Sequence, residues 1–255
     1  MMPVLALAAT PRTARRAIPF LGVLGLGTDV VSWHHSMDVA TPNAVLATTT
    51  AILDGLPEVP TAVWVDDRAS FQTALSRDIE VVLSCHQWLV DHGAVHVPRA
   101  GIDVAYWSVS SPLERAAERD RSGLPPQLVV AVDHPTVTDY IATVLTVAAA
   151  AVVTGPLVPL ALALGAPVIT SPETAQRLGL RPGVEVEVAS GRLTADRAAR
   201  AIAADLERAG MLSQRGRRFA EHHLDLSRPA AAVRDRLGLP TDQMFPSSLT
   251  VKARP

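Results

Sequence analysis

From Tyr140 to Ser171 the chain carries no charged side chain. A long apolar run of this kind belongs either in a lipid bilayer or inside a sheet covered on both faces. Three features favour the sheet. Gly155-Pro156 cuts the run into pieces too short to span a bilayer comfortably, and Pro159 follows. Thr143, Thr146 and Thr154 interrupt the apolar residues. No basic cluster flanks either end to set an orientation. The run therefore predicts a buried helix–strand–helix–strand of a parallel α/β sheet and no membrane span, leaving peripheral association open.

The rest of the chain fits that reading. Its 255 residues suffice for one large domain or two small ones. With 48% hydrophobic and 19% charged residues it can bury a core rather than stay disordered. A formal net charge of −2 gives no basic excess for nucleic acid. The single cysteine, Cys85, excludes an internal disulfide and a cysteine-based zinc site. All but Lys252 of the 23 basic residues are arginine, so anion binding must rely on arginine, backbone N–H groups or helix N-termini. In Met1–Thr10 the arginines follow the apolar stretch instead of preceding it. That order is wrong for a secretory signal and predicts a buried strand at Val4–Ala9 and a cytoplasmic protein.

Short apolar strands alternate with helical stretches. Strands are expected at Val4–Ala9, Thr28–Trp33, Thr61–Val65, Glu80–Ser84 and Ala94–Val97. The helices expected between them are Ala14–Leu24, Pro42–Asp54, Ser70–Arg77 and Gln87–His92. Ser108–Gln127 is richer in charge, serine and proline, and is expected to hold one exposed helix, Pro112–Arg121, capped by Ser111. A second series follows, with strands at Leu128–Val132, Ala150–Val153, Val168–Thr170 and Val184–Ala189. Its helices are Val137–Ala149, Leu157–Leu164, Pro172–Gly179, Thr194–Ala209, Arg215–His223 and Pro229–Leu237. The expected fold is α/β, with two Rossmann-like domains whose parallel sheets face a cleft. Residues 1–107 form the first domain, 108–240 the second and 241–255 a tail.

Several strand ends carry reactive groups. In Thr154-Gly155-Pro156-Leu157 a buried strand passes at once into a helix, a place where backbone N–H groups can receive an anion. Thr170-Ser171 and Glu173 end the next strand. His34-His35 and Asp66-Asp67 close two strands of the first half. A histidine there suits proton transfer near neutral pH. Adjacent carboxylates suit a divalent metal, a general base or a helix cap. Arg12, Arg15 and Arg16 follow the first strand, where they can neutralise an anion or face solvent. His86, His92 and His96 are poorly spaced for a metal, Cys85 has no activating basic cluster in sequence, and His222-His223 reads as surface.

The order of several segments resembles the GT-B glycosyltransferases. Gly165–Ala189 (GAPVITSPETAQRLGLRPGVEVEVA) is similar to their nucleotide-sugar half, with its Gly-x-Pro-Val-Val turn and Thr-Pro segment. Arg215–Leu237 is similar to their closing helices. Thr28–Ser36, Val59–Asp67 and Val81–Trp107 resemble successive strand ends of their first domain and the crossing to the second. The resemblance spans about Thr28–Leu237. It implies transfer of a sugar, with retention at the anomeric carbon, from a nucleotide-sugar donor to an acceptor the sequence does not name. It also implies no cofactor and no bound metal. By this resemblance Thr154, Gly155, Pro156, Leu157, Thr170, Ser171 and Glu173, with Arg12, Arg15 and Arg16, hold the donor. His35, with Asp66 or Asp67, faces the acceptor.

The departures define an alternative. The glutamate pair that such enzymes carry around the helix before the Gly-x-Pro turn is replaced by Val152 and Leu160. The basic residue of the same loop is absent, and ATPRTARR stands where a Gly-rich loop is usual. The second reading is thus a glycosyltransferase-like binding module or partner subunit without turnover. A third is an unrelated two-domain Rossmann-like binding protein, against which the lack of Gly-x-Gly-x-x-Gly after the first strand excludes only a dinucleotide ligand.

Overall fold

The structure, a computed structural model, describes residues 4–8, 20, 22–24, 29–32, 42–56, 58–133 and 139–239. It divides into two compact units, Met1–Arg99 with Ser227–Pro255, and Ala100–Leu226. The sequence reading drew the boundary at 107/108 and put the last helix in the second domain.

The first unit is a parallel sheet of β1 (Val4–Ala8), β2 (Asp29–Ser32), β3 (Ala44–Ala47), β4 (Thr61–Trp64), β5 (Val81–Ser84) and β6 (Val95–His96), in the order β2-β1-β3-β4-β5-β6. Strands β3, β4 and β5 are buried along their whole length, as parallel strands covered on both faces must be. Helix α1 (Arg68–Ser76) contributes Phe71 and Ala74, and α2 (Gln87–Val90) contributes Leu89, to a core with Val63, Val65 and Leu53. The helix expected over Pro42–Asp54 is instead strand β3 followed by a 3₁₀ helix at Thr50–Gly55. The Thr-Pro start signal is local. It yields to Ala-Val-Leu-Ala, which fills the slot between β1 and β4, pairing Leu5 with Ala44 and Val45 with Thr61.

The second unit has a parallel sheet of β7 (Val129–Val132), β8 (Ala150–Val153), β9 (Val168–Thr170) and β10 (Glu187–Val188), in the order β10-β9-β8-β7. Around it lie α3 (Pro112–Arg121), α4 (Asp139–Val147), α5 (Leu157–Ala163), α6 (Pro172–Leu178), α7 (Arg192–Ala204) and α8 (Leu206–Phe219). The uncharged run becomes α4, β8, α5 and β9, with every residue of α5 buried. Among the described residues, no helix is long and apolar enough to cross a membrane. The single helix expected over Thr194–Ala209 breaks at Asp205, whose carboxylate accepts from Arg208 N at 3.0 Å and so starts α8. The strand expected over Val184–Ala189 shrinks to β10, because Arg181–Val186 turns around a buried Glu185 that pairs with Arg181. The last helix, α9 (Ser227–Arg236), lies in the first unit, where Arg234 donates to the carbonyls of Val23 and Leu24.

Helix α3 starts with a full capping box. The Ser111 hydroxyl accepts from Glu114 N at 3.2 Å, and Glu114 Oε2 accepts from Ser111 N at 2.7 Å. Ser111→Ala is expected to lower unfolding stability by about 1 kcal/mol, read from urea titrations. The Ser111 backbone N–H, then its hydroxyl, holds the Glu114 carboxyl below the ordinary glutamate range. A depressed folded value stabilises above the unfolded value and is lost as pH falls through the folded one. The Ser111→Ala effect should therefore shrink in titrations repeated at progressively lower acid pH.

Helix α3 is not the solvated helix its charges suggest. Arg115 and Arg119 are only 2% and 3% exposed. Arg115 donates to the carbonyls of Ser110 and Leu164, and Arg119 to Val147 O at 2.9 Å. Leu164 and Val147 end α5 and α4, so the two cations sit at the negative poles of both helix dipoles. Burial, and then the neighbouring Arg119, lowers the Arg115 guanidinium to about 10, which leaves it charged at neutral pH. Arg115 Nη1 and Arg119 Nε have no hydrogen-bond partner among the described residues. Both side chains line a cavity of about 10 Å³, room for one water.

Candidate functional site

In an open parallel sheet, ligand space lies beyond the carboxyl ends of the strands. In the second unit that edge carries Asp133 after β7, Thr154–Pro156 after β8, Ser171 after β9 and Ala189–Gly191 after β10. Thr154 Oγ1 donates to Asp133 Oδ1 at 3.0 Å and ties two neighbouring strand ends together. Asp133 is a residue of this edge that the sequence alone does not single out. Its signal was its place, directly after a strand, like Asp66 after β4.

Gly155 turns with φ +55°, and a Cβ built there would meet nothing within 4 Å among the described residues. Glycine serves this step through its backbone, not through lack of room. The helix that follows has no side-chain cap. Pro156 and Pro159 carry no N–H, and Leu157 N and Val158 N reach the Thr154 and Gly155 carbonyls only at 3.3 and 3.4 Å. Leu157 and Val158 are both fully buried, so the part of this step that reaches the surface is Thr154, Gly155 and Pro156.

The neighbouring strand end is more tightly bonded. The Ser171 hydroxyl accepts from Thr174 N at 3.2 Å and caps α6. Thr170 is buried, and its Oγ1 has no partner among the described residues. Glu173 is exposed in the first turn of α6. Its own backbone N–H, then the Ser171 hydroxyl, holds its carboxyl below the ordinary glutamate range, so an ionised group stands at this edge. Adjacent strands β8 and β9, paired Val152 to Ile169, thus bring Thr154–Leu157 and Thr170–Glu173 to one edge of the sheet.

In the first unit, Asp67 caps α1. Its two oxygens accept from Ser70 N at 2.8 Å and the Ser70 hydroxyl at 2.9 Å, and these bonds lower its carboxyl below the ordinary range. Asp66, half-buried, faces a different neighbourhood. Trp64 pairs with Leu83, so the next residues of β4 and β5 bring Asp66 alongside Cys85 and His86. His35, Arg12, Arg15 and Arg16 lie outside the described residues.

Two units of parallel sheet layered with helices, their loops gathered at the strand carboxyl ends, define the GT-B fold of glycosyltransferases. Among solved structures, the chain is similar to HepE of Anabaena in complex with UDP and glucose. There the TM-score is 0.52 at 11% identity, over 93% of this chain and 100% of that one. It is also similar to sucrose-phosphate synthase of Thermosynechococcus elongatus, with a TM-score of 0.53 at 10% identity, over 92% of this chain and 98% of that one. At such identities the likeness establishes the fold. No protein-family model matches the chain, and no curated protein sequence does.

Proposed function

We propose that the chain binds a nucleotide sugar at the strand-end loops of its second unit and transfers the sugar to an acceptor. The observation that carries this reading is the open, half-buried Gly155 turn at the carboxyl end of β8, between exposed Pro156 and a Thr154 tied to Asp133. A glycine turn at the carboxyl end of a parallel strand suits a diphosphate. HepE, solved with UDP and glucose, supplies the precedent for such a ligand on this fold. Thr154, Gly155 and Pro156 meet the phosphates in this reading, and the fully buried Leu157 lies beneath them. Ser171 and Glu173 meet the rest of the donor, with Thr170 buried beneath them, and Glu173 stands in for the carboxylates replaced by Val152 and Leu160. Arg12, Arg15 and Arg16 complete the charge balance. His35 and Asp66 serve the acceptor, since both oxygens of Asp67 are committed to its cap.

A binding module without turnover is favoured by one specific observation. Leu160 is fully buried, so its position belongs to the core and has no room to restore a ligand-binding carboxylate. The two readings separate in one experiment. The chain is incubated with a panel of nucleotide sugars and simple acceptor alcohols, and free nucleotide and thermal stability are followed. Transfer predicts nucleotide release that depends on acceptor, together with a raised melting temperature. The module predicts the raised melting temperature alone, because bound ligand stabilises by mass action. Neither effect with any donor would overturn both. Gly155→Val, which forces a β-branched residue to positive φ, is expected to weaken donor binding by about tenfold or more, measured by calorimetric titration.

A further inference from the structure

We propose that Asp66, Cys85 and His86 form a binding site for a zinc-like divalent cation at the carboxyl edge of the first unit's sheet. One carboxylate oxygen of Asp66, the Cys85 sulfur and one ring nitrogen of His86 all lie within 4.8 Å of one another, and all three residues are half-buried. Register produces the cluster. Trp64 stands opposite Leu83, and two residues beyond each of them the parallel chains reach Asp66 and Cys85. His86 follows at the start of α2, where its backbone bends back to the Ser84 hydroxyl at 3.1 Å. That bend lets two consecutive side chains approach one point, which an extended strand forbids.

A second observation separates this cluster from chance proximity. His86 occupies the cap position of α2 yet makes no side-chain capping bond. Neither the His86 ring nor the Cys85 thiol has a hydrogen-bond partner among the described residues. The neighbouring acid, Asp67, is by contrast committed to α1 through both oxygens. Two side chains able to donate lone pairs thus stand beside a carboxylate without a bond of their own.

The donor set selects the cation. Thiolate and imidazole favour zinc and its borderline-soft neighbours over magnesium or calcium, which require oxygen ligands. Around tetrahedral zinc, sulfur, nitrogen and oxygen ligands lie roughly 3.3–3.5 Å apart, so side-chain rotation has about 1 Å to close. Three protein ligands leave a fourth position for water. The site departs from two expectations of the sequence, that no metal is bound and that one cysteine excludes a cysteine-based zinc site: Cys85 here needs only Asp66 and His86 beside it. The site shares Asp66 with the acceptor side of the proposed function, and a metal titration reads it without any nucleotide sugar.

The full-length, reduced chain is titrated with cobalt(II), the spectroscopic stand-in for zinc. The proposal predicts one equivalent bound, with a near-ultraviolet thiolate-to-cobalt band that zinc displaces. Cys85→Ser should abolish the band. His86→Ala and Asp66→Asn should each weaken zinc binding by about 10–100-fold or more in chelator competition. Circular dichroism melts of the three apo variants show whether each is folded. No thiolate–cobalt band at stoichiometric metal, or folded His86→Ala and Asp66→Asn proteins that bind zinc like the parent, would overturn the site.

Discussion

Arg115→Ala is expected to lower the stability of the second unit by about 2–5 kcal/mol, the cost of emptying a large buried position. The side chain is 2% exposed and holds α3 to the end of α5 through Leu164 O. Alanine removes the packed stem and leaves the Ser110 and Leu164 carbonyls without their guanidinium donors. It also widens a cavity that already has room for one water. Arg115→Met separates packing from charge. Methionine keeps most of the stem and removes a buried cation whose hydrogen bonds go to backbone carbonyls, so it should lose clearly less than alanine. Urea unfolding followed by circular dichroism reads both. An alanine variant that unfolds with the parent would contradict the role given to α3.

The second large effect is at Gly165, which follows the end of α5 with φ +68°. A Cβ there would lie 3.2 Å from Val109 Cγ1 and 3.3 Å from both Arg115 Nη2 and Ser213 Oγ. Backbone strain of about 1–2 kcal/mol then adds to crowding of about 1–3 kcal/mol. Gly179, which caps α6, supplies the control. Its φ is +72°, but a Cβ there meets nothing within 4 Å among the described residues. Gly165→Ala is therefore expected to cost about 2–5 kcal/mol, and Gly179→Ala about 1–2 kcal/mol, from strain alone. Equal costs at the two sites would show that crowding around α5 is not what fixes Gly165.

How far the sequence foretold this structure depends on the range of each signal. The uncharged run was legible as β8, α5 and β9, because burial on both faces leaves nothing for a charge to do there. Ser111 announced α3 through a cap that acts over three residues. Pro42–Asp54 misled because Thr41-Pro42 is a local helix signal, while the pairing that makes β3 comes from β1 and β4. Asp205 was hidden inside a continuous helical pattern, since an aspartate reads equally well as a surface residue or as a cap. Arg115 and Arg119 looked solvated for the same reason. Their acceptors are helix-end carbonyls 49 and 28 residues away in sequence. At the candidate site, the Gly155 step was visible as a strand running straight into a helix. Asp133, and the meeting of Asp66 with Cys85 and His86, needed the register of adjacent strands.

Amide hydrogen exchange of the full-length chain, with and without UDP, tests the central claim most directly. The account predicts slower exchange at the amides around Gly155–Val158 and Glu173–Thr174, where α5 and α6 begin, and little change in α9. Saturating UDP that leaves the amides of both turns exchanging as before, or that slows exchange only in the first unit, would contradict it.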